Sequence, residues 1–421
     1  MGRTRDRLLA IPIRKRRVID KDQLVLRVTA SRKMGRRSNK PGFFLCAMTT
    51  LIMFVFGAVA QRAAAVVVGV NVVNADHLSV AQQDDMLKEI RSAGVTVIRS
   101  GIPATDEGVE FARRAYAMGL RIDWIVSFMD AYQADAPTRA YQKSAYPNMW
   151  GGHPLSALDP DLFRTRFASM LARLDSAGVK LEAMEIGNEI NMAGFNPDFP
   201  VPGENRQFGL ADLARDSEAR QVGEGYLQYL KVLSQVKDVR DHAGLNRATP
   251  ILTAGFGVYE GPEGPLRQPS FGLVSINATL DFMRAHGLDQ WVDGYAVHVY
   301  PWSDRPGDPA AAAGRQHRLA KYALTRCQPA GSNAGKPCWI TEWGFKLRDT
   351  ACPVNDDERK VLIREMMRNF KPYVENGRLR GLIYFGWNTD PWAKSPDPLS
   401  LNQCGTLTAS GRQAIDPSLL Q

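Results

Sequence analysis

Histidine and cysteine are scarce in this chain: six and five residues among 421. No Cys-x-x-Cys pair occurs, which excludes a structural zinc site of the usual spacing. There is no P-loop, no His-Glu-x-x-His and no Gly-x-Ser-x-Gly, so nucleotide, zinc-protease and serine-hydrolase chemistries lose their signatures. Gly255-Phe256-Gly257 lacks the third glycine of a dinucleotide fingerprint and runs into a Pro/Gly loop. The remaining chemistry calls for no metal and no cofactor.

A basic surplus is also missing once the chain is divided. The formal charge is +9, but residues 1–41 hold 14 Lys/Arg against 3 Asp/Glu and carry +11. The other 380 residues therefore carry −2. No electrostatic case for a nucleic acid or an acidic partner survives.

Behind the basic tail comes an uncharged apolar run over 43–60, with small-residue sites at Ala58-Val59-Ala60 and Ala63-Ala64-Ala65. Basic, apolar and small-residue regions in that order describe a secretory signal peptide. The run also rivals the roughly 20 apolar residues of a membrane span. Residues 1–65 are thus expected to form a basic region plus a signal peptide or membrane anchor. Export is the consequence, to a secreted or periplasmic location or to a membrane held through 43–60. Met34, followed by Gly-Arg-Arg-Ser-Asn-Lys, is expected to be the true start. Cys46 would leave with the signal. Cys327, Cys338, Cys352 and Cys404 remain, an even number with three possible pairings. The expected pairs are Cys327 with Cys338 and Cys352 with Cys404; four unpaired thiols are the alternative.

From residue 66 apolar runs alternate with amphipathic segments, the pattern of a parallel α/β fold. Strands are expected at 66–73, 95–100, 120–128, 180–188, 250–256, 292–300, 338–343 and 379–387. Helices are expected at 79–93, 105–118, 159–177, 216–243, 274–286, 309–325 and 356–374. Ser79 reads as a cap, and Gly94, Gly119 and Gly178 as stops. The repeats over 66–421 fit a single (β/α)8 TIM barrel with enlarged βα loops, one domain in all. A doubly wound sheet is the alternative. The loop from 190 to about 213, rich in Pro, Gly and Asn, is long enough to be functional.

Two of these strands end in a carboxylate. One finishes in Glu185-Ile186-Gly187-Asn188-Glu189, the other in Thr341-Glu342-Trp343-Gly344. In one parallel barrel both carboxylates meet over the same open end. Facing carboxyl groups suit glycosidic bond cleavage, one protonating the leaving oxygen and one attacking the anomeric carbon. Either Glu alone reads as an ordinary strand-end residue; the pair reads as catalytic. Trp150, Trp302, Trp343, Trp387 and Trp392 fall at or after strand C-terminal ends, where indole faces suit sugar faces. Trp124, Trp291 and Trp339 read as core.

Asn-Glu after the fourth strand and Glu after the seventh resemble clan A of the retaining glycoside hydrolases. The two segments are similar to the cellulase and mannanase type, and Gly187-Asn188-Glu189-Ile190-Asn191 is also similar to the endo-galactanase family. The resemblance implies that Glu189 is the acid/base and Glu342 the nucleophile. It implies that Asn188 holds the sugar 2-hydroxyl and that Tyr300 of His298-Val299-Tyr300 holds the Glu342 carboxylate, with His298 beside it. Arg99 matches a clan arginine near the nucleophile, and Trp387 an aromatic platform under the sugar. Independently, Arg99 could be a structural partner of Glu185, and Tyr300 could simply pack. The expected activity is retaining hydrolysis of a β-glycosidic bond in a poly- or oligosaccharide. The alternatives are a non-catalytic carbohydrate-binding barrel and a membrane-anchored component of exopolysaccharide processing or export.

Overall fold

In a computed structural model of the chain, residues 66–127, 152–200, 207–257, 272–300, 305–391 and 393–421 are described. The chain divides into two compact units, 1–60 and 61–421, and all of the first lies outside the described residues. So do the basic region, the apolar run over 43–60 and the start expected at Met34. The expectation of membrane anchoring is corrected here: among the described residues no helix is long and apolar enough to cross a membrane. The membrane-held location argued from 43–60 goes with it, and the signal peptide from which secretion was argued lies outside the described residues.

The core is a mostly parallel sheet wrapped by helices. Its strands are β1 Val67–Asn71, β2 Val97–Gly101, β3 Arg121–Val126, β4 Ala183–Ile186, β5 Ile251–Leu252, β6 Phe256–Gly257, β7 Tyr295–Val299, β8 Cys338–Trp343 and β9 Leu379–Tyr384. Their spatial order is β5-β4-β3-β2-β1-β9-β8-β7-β6. Strands covered on both faces read as continuous apolar runs, and all four residues of β4 are buried.

The main helices are α1 Val80–Ser92, α2 Asp106–Ala117, α3 Pro160–Ser176, α4 Ala219–Asp241, α5 Ile276–Ala285, α6 Pro309–Arg318 and α7 Asp357–Glu375. Local chemistry sets their limits. Ser79 and Gln82 form a reciprocal capping box on α1, and Asp159 caps α3 with Pro160 in its first turn. Gly94, Gly119 and Gly178 stop α1, α2 and α3 with φ of +91°, +82° and +73°, values that L side chains rarely adopt.

The closed (β/α)8 barrel is corrected to a TIM-barrel-like sheet that curls through 303° without closing. The expected strand over 250–256 is two short pieces, and these are the sheet's two edges. β5 pairs with β4, whereas β6 pairs with β7. Between them Thr253 N–H still donates to a backbone carbonyl, that of Gly294, but the next two donors go to side chains. Ala254 N–H donates to the Tyr229 hydroxyl and Gly255 N–H to Glu185. The Thr253 hydroxyl accepts the Ala296 N–H that a neighbouring carbonyl would otherwise take. The helix expected over 309–325 also divides, into α6 and a π-helical turn at Leu319–Ala323.

Both expected disulfides are present, Cys327–Cys338 and Cys352–Cys404. After β9 the chain makes a small hairpin, Asn402–Gln403 with Thr406–Leu407, and a short helix, Ala409–Ala414. Buried Arg359 of α7 ties this segment down. Its guanidinium donates to Ser410, Thr408 and the carbonyls of Pro398 and Ser400.

Candidate active site

Strand register brings the site together. Asn71, Arg99 and Asp123 are in-register partners on β1, β2 and β3, so they share a face of the sheet. His298 on β7 is the partner of Glu342 on β8, across an irregularity that follows Ile340. Glu189 follows β4, and Tyr300 follows β7.

Arg99 is the hub, 1% exposed. Nε donates to Glu185 Oε2 at 3.0 Å, and Nη2 to Glu185 Oε1 at 2.6 Å and Asn188 Oδ1 at 3.0 Å. Nη1 donates to Glu342 Oε1 at 2.6 Å and Asn71 Oδ1 at 3.1 Å. A guanidinium has five N–H groups, and these five contacts use them all. Arg99 therefore meets both Glu185 and Glu342, the two partners that its sequence context suggested. Burial alone would raise the Glu185 carboxyl, but the charge and hydrogen bonds of Arg99 outweigh it and hold Glu185 down to about 2. Removing one partner from such a buried pair costs about 3–5 kcal/mol, because the other charge is left bare.

The second Glu342 oxygen is held from the other side. Tyr300 Oη donates to Oε2 at 2.5 Å. Burial and the adjacent Glu342 charge push the Tyr300 phenol well above its ordinary range, so the proton stays on Tyr300. His298 is fully buried between the two carboxyl groups. Nδ1 lies 2.8 Å from Glu189 Oε1 and 3.4 Å from Glu342 Oε2. Burial favours the neutral imidazole, yet the Glu342 charge and the hydrogen bonds to Glu185 and Glu189 lift His298 to about 9. At neutral pH Nδ1–H then donates to Glu189 Oε1.

Burial also raises Glu189, with the Glu342 charge acting in the same direction against His298 and Arg99. One carboxyl is thus pushed toward its neutral form while the other lies between two donors. Both side chains keep 12% exposure, enough to meet a ligand. Glu189, His298 and Glu342 offer one nitrogen and two oxygens within 4.8 Å of one another, a set that could hold a divalent cation.

Glu189 itself sits in the left-handed region, φ +44°, which costs a non-glycine residue about 1–2 kcal/mol. Glycines make room around it. A Cβ on Gly255 would lie 2.0 Å from His298 Nε2, and one on Gly257 would lie 3.2 Å from Glu189 Oε1.

Two tryptophans expected at the sugar are buried instead. Trp343 is fully buried and edge-on to Phe370 and Tyr384, with ring centroids 5.2 and 5.0 Å away. Trp387 is 2% exposed within the same core. The aromatic at the end of β9 that reaches the site is Phe385, half-buried and edge-on to Tyr300 at 6.2 Å. Trp302, Trp150 and Trp392 lie outside the described residues. Sequence reasoning missed Asn71, Asp123 and Phe385. The period-2 spacing of Asn71 from the interior of β1 was the one available signal, and it points to a face rather than a partner.

No protein-family model matches the chain, and no curated protein matches it. Among solved structures, the chain is similar to the endo-1,4-β-mannanase of Rhizomucor miehei. That match has a TM-score of 0.50 and 12% identity, covering 84% of this chain and 94% of that one. It is likewise similar to the family 1 β-glucosidase of Thermotoga maritima, with a TM-score of 0.50, 11% identity and coverage of 85% and 98%. A structure of fungal β-1,4-galactanases gives 0.48, 14%, 83% and 93%. The chain shares the barrel-like fold of glycoside hydrolases. Identities of 11–14% are too low to place it in one family.

Proposed function

We propose that this chain is a retaining glycoside hydrolase, with Glu342 as nucleophile and Glu189 as acid/base. One observation carries the reading. Two carboxyl groups converge across a single imidazole, their nearest ligand atoms within 4.8 Å, and only one of them is clamped by a guanidinium and a phenol. Retaining enzymes place the two carboxyl groups about 5–5.5 Å apart, whereas inversion needs about 6.5–9.5 Å to admit a water.

The contacts dictate the chemistry. Glu189 Oε1 accepts from His298, which leaves Oε2 to carry the proton toward the leaving oxygen. Glu342 attacks the anomeric carbon as the glycosidic C–O bond breaks and Glu189 gives up that proton. The glycosyl ester has no negative charge, so the field that kept Glu189 protonated weakens. Glu189 then takes a proton from water as water displaces Glu342. Arg99 orients Glu342 and Asn188 together, and Asn188 faces the sugar 2-hydroxyl. The substrate class is a β-linked poly- or oligosaccharide.

Glu342→Ala is expected to lower turnover of aryl β-glycosides by at least about 10³-fold. Added azide restores part of it and yields a glycosyl azide of inverted configuration. Wild-type turnover in that variant would remove the nucleophile assignment.

A further inference from the structure

Two residues beyond Glu189 lies Asn191, an uncharged side chain that the double displacement does not use. It is 1% exposed, and its three side-chain hydrogen bonds all go to backbone. Nδ2 donates to the Gly257 carbonyl at 3.1 Å and to the Val274 carbonyl at 2.8 Å. Oδ1 accepts the Gly257 N–H at 3.0 Å. The Asn191 carbonyl accepts the Val274 N–H at 2.9 Å. One amide thus clasps three stretches of chain: the turn that carries Glu189, the strand-end at Gly257 and the entry to α5.

Gly257 is not an arbitrary anchor. Its Cα faces the Glu189 carboxyl so closely that a Cβ would stand 3.2 Å from Oε1 and 2.3 Å from Met192 Sδ. The backbone that Asn191 grips at both its N–H and its C=O is therefore one wall of the Glu189 carboxyl. Glu189 also adopts φ +44°, a conformation that persists only when its surroundings over-determine it. Its own N–H donates to the Gly255 carbonyl, and its carbonyl accepts the Met192 N–H. Asn191 supplies the side-chain part of that restraint.

We infer that Asn191 is the positioning residue for Glu189, fixing the height and direction of its carboxyl over the scissile oxygen. The inference rests on Glu189 being the acid/base. Asn191 touches no substrate; it acts through Gly257 and through the turn. Its loss lets Glu189 relax toward an unstrained backbone and leaves proton delivery misaligned, while Glu342, held by Arg99 and Tyr300, stays in place.

That separation gives the test. Departure of a poor leaving group needs the proton from Glu189; departure of a strongly activated phenol does not. The full chain carrying Asn191→Ala is assayed on 2,4-dinitrophenyl and on phenyl β-glycosides of the sugar that wild type turns over best in a gluco, galacto, manno and xylo panel. The expected loss in kcat/KM is about 10²-fold on the phenyl glycoside and at most about threefold on the dinitrophenyl one. Asn191→Asp keeps the shape and the acceptor but no donor, so it shows the same selectivity if the alanine variant does not fold. An equal loss on both substrates, or no loss on either, overturns the inference. A wild-type chain inert on every dinitrophenyl glycoside would instead overturn the glycosidase reading on which it rests.

Discussion

Arg99 has five N–H groups and five acceptors, and that count decides the state of Asp123. Asp123 is an in-register neighbour of Arg99, fully buried, with neither carboxyl oxygen partnered among the described residues. No donor remains for it. A carboxylate without donors or solvent is too costly to keep ionised. Burial, with the Glu185 charge behind it, raises Asp123 well above its ordinary range; Arg99 and His298 oppose this and Glu182 adds to it. A folded-state value raised above the unfolded one, about 3.9, means stability that is present below pH 4 and is lost as pH rises toward the folded value. Asparagine has no such dependence. The melting temperature of Asp123→Asn minus that of wild type is therefore expected to climb between pH 4 and pH 8. A difference that falls with pH would mean that Asp123 is an ionised, stabilising group. The sequence showed Arg99, Glu189, His298, Tyr300 and Glu342 because strand ends are visible in an apolar run. It hid Asp123 and Asn71 because register, not spacing, sets them beside Arg99. Trp343 and Trp387 were misplaced for a related reason. A strand end does not say which way an indole turns, and these two turn into the core.

Elements behave differently from residues. Most strands and helices were legible because caps, stops and apolar runs are local. The break between β5 and β6 was not, since Ile251-Leu252-Thr253-Ala254-Gly255-Phe256-Gly257 reads as one apolar run. What interrupts it are acceptors supplied by distant chain, Tyr229 and Glu185. Cross-links belong to this scale too. Cys352–Cys404 ties the loop after β8 to the hairpin after β9, the cysteines being 52 positions apart in sequence, and both are exposed. Closing a loop of that length in the unfolded chain contributes about 4 kcal/mol, against about 3 kcal/mol for the 11-residue span of Cys327–Cys338. Because no packing is lost at exposed positions, the paired change Cys352→Ala and Cys404→Ala isolates that contribution. Urea unfolding is expected to show a loss of about 4 kcal/mol. A loss below about 1 kcal/mol would mean that the Arg359 contacts already hold the segment in place.

At the scale of the whole molecule, a curled parallel sheet delivers side chains from β1, β2, β4, β7 and β8 to one end, where a fold of this kind does its chemistry. The same geometry hosts many reactions, so the fold alone assigns none. What distinguishes this chain is that residues 243 positions apart, Arg99 and Glu342, meet at 2.6 Å, while Glu189 faces the same imidazole as Glu342. The most direct trial of that arrangement is covalent capture. An epoxide analogue of a β-glycoside is incubated with the full chain, and the adduct is located by peptide mass spectrometry. One adduct per chain on the peptide bearing Glu342, absent from Glu342→Ala, is the result predicted. An adduct on Glu189, or labelling that persists without the Glu342 carboxyl, would contradict it.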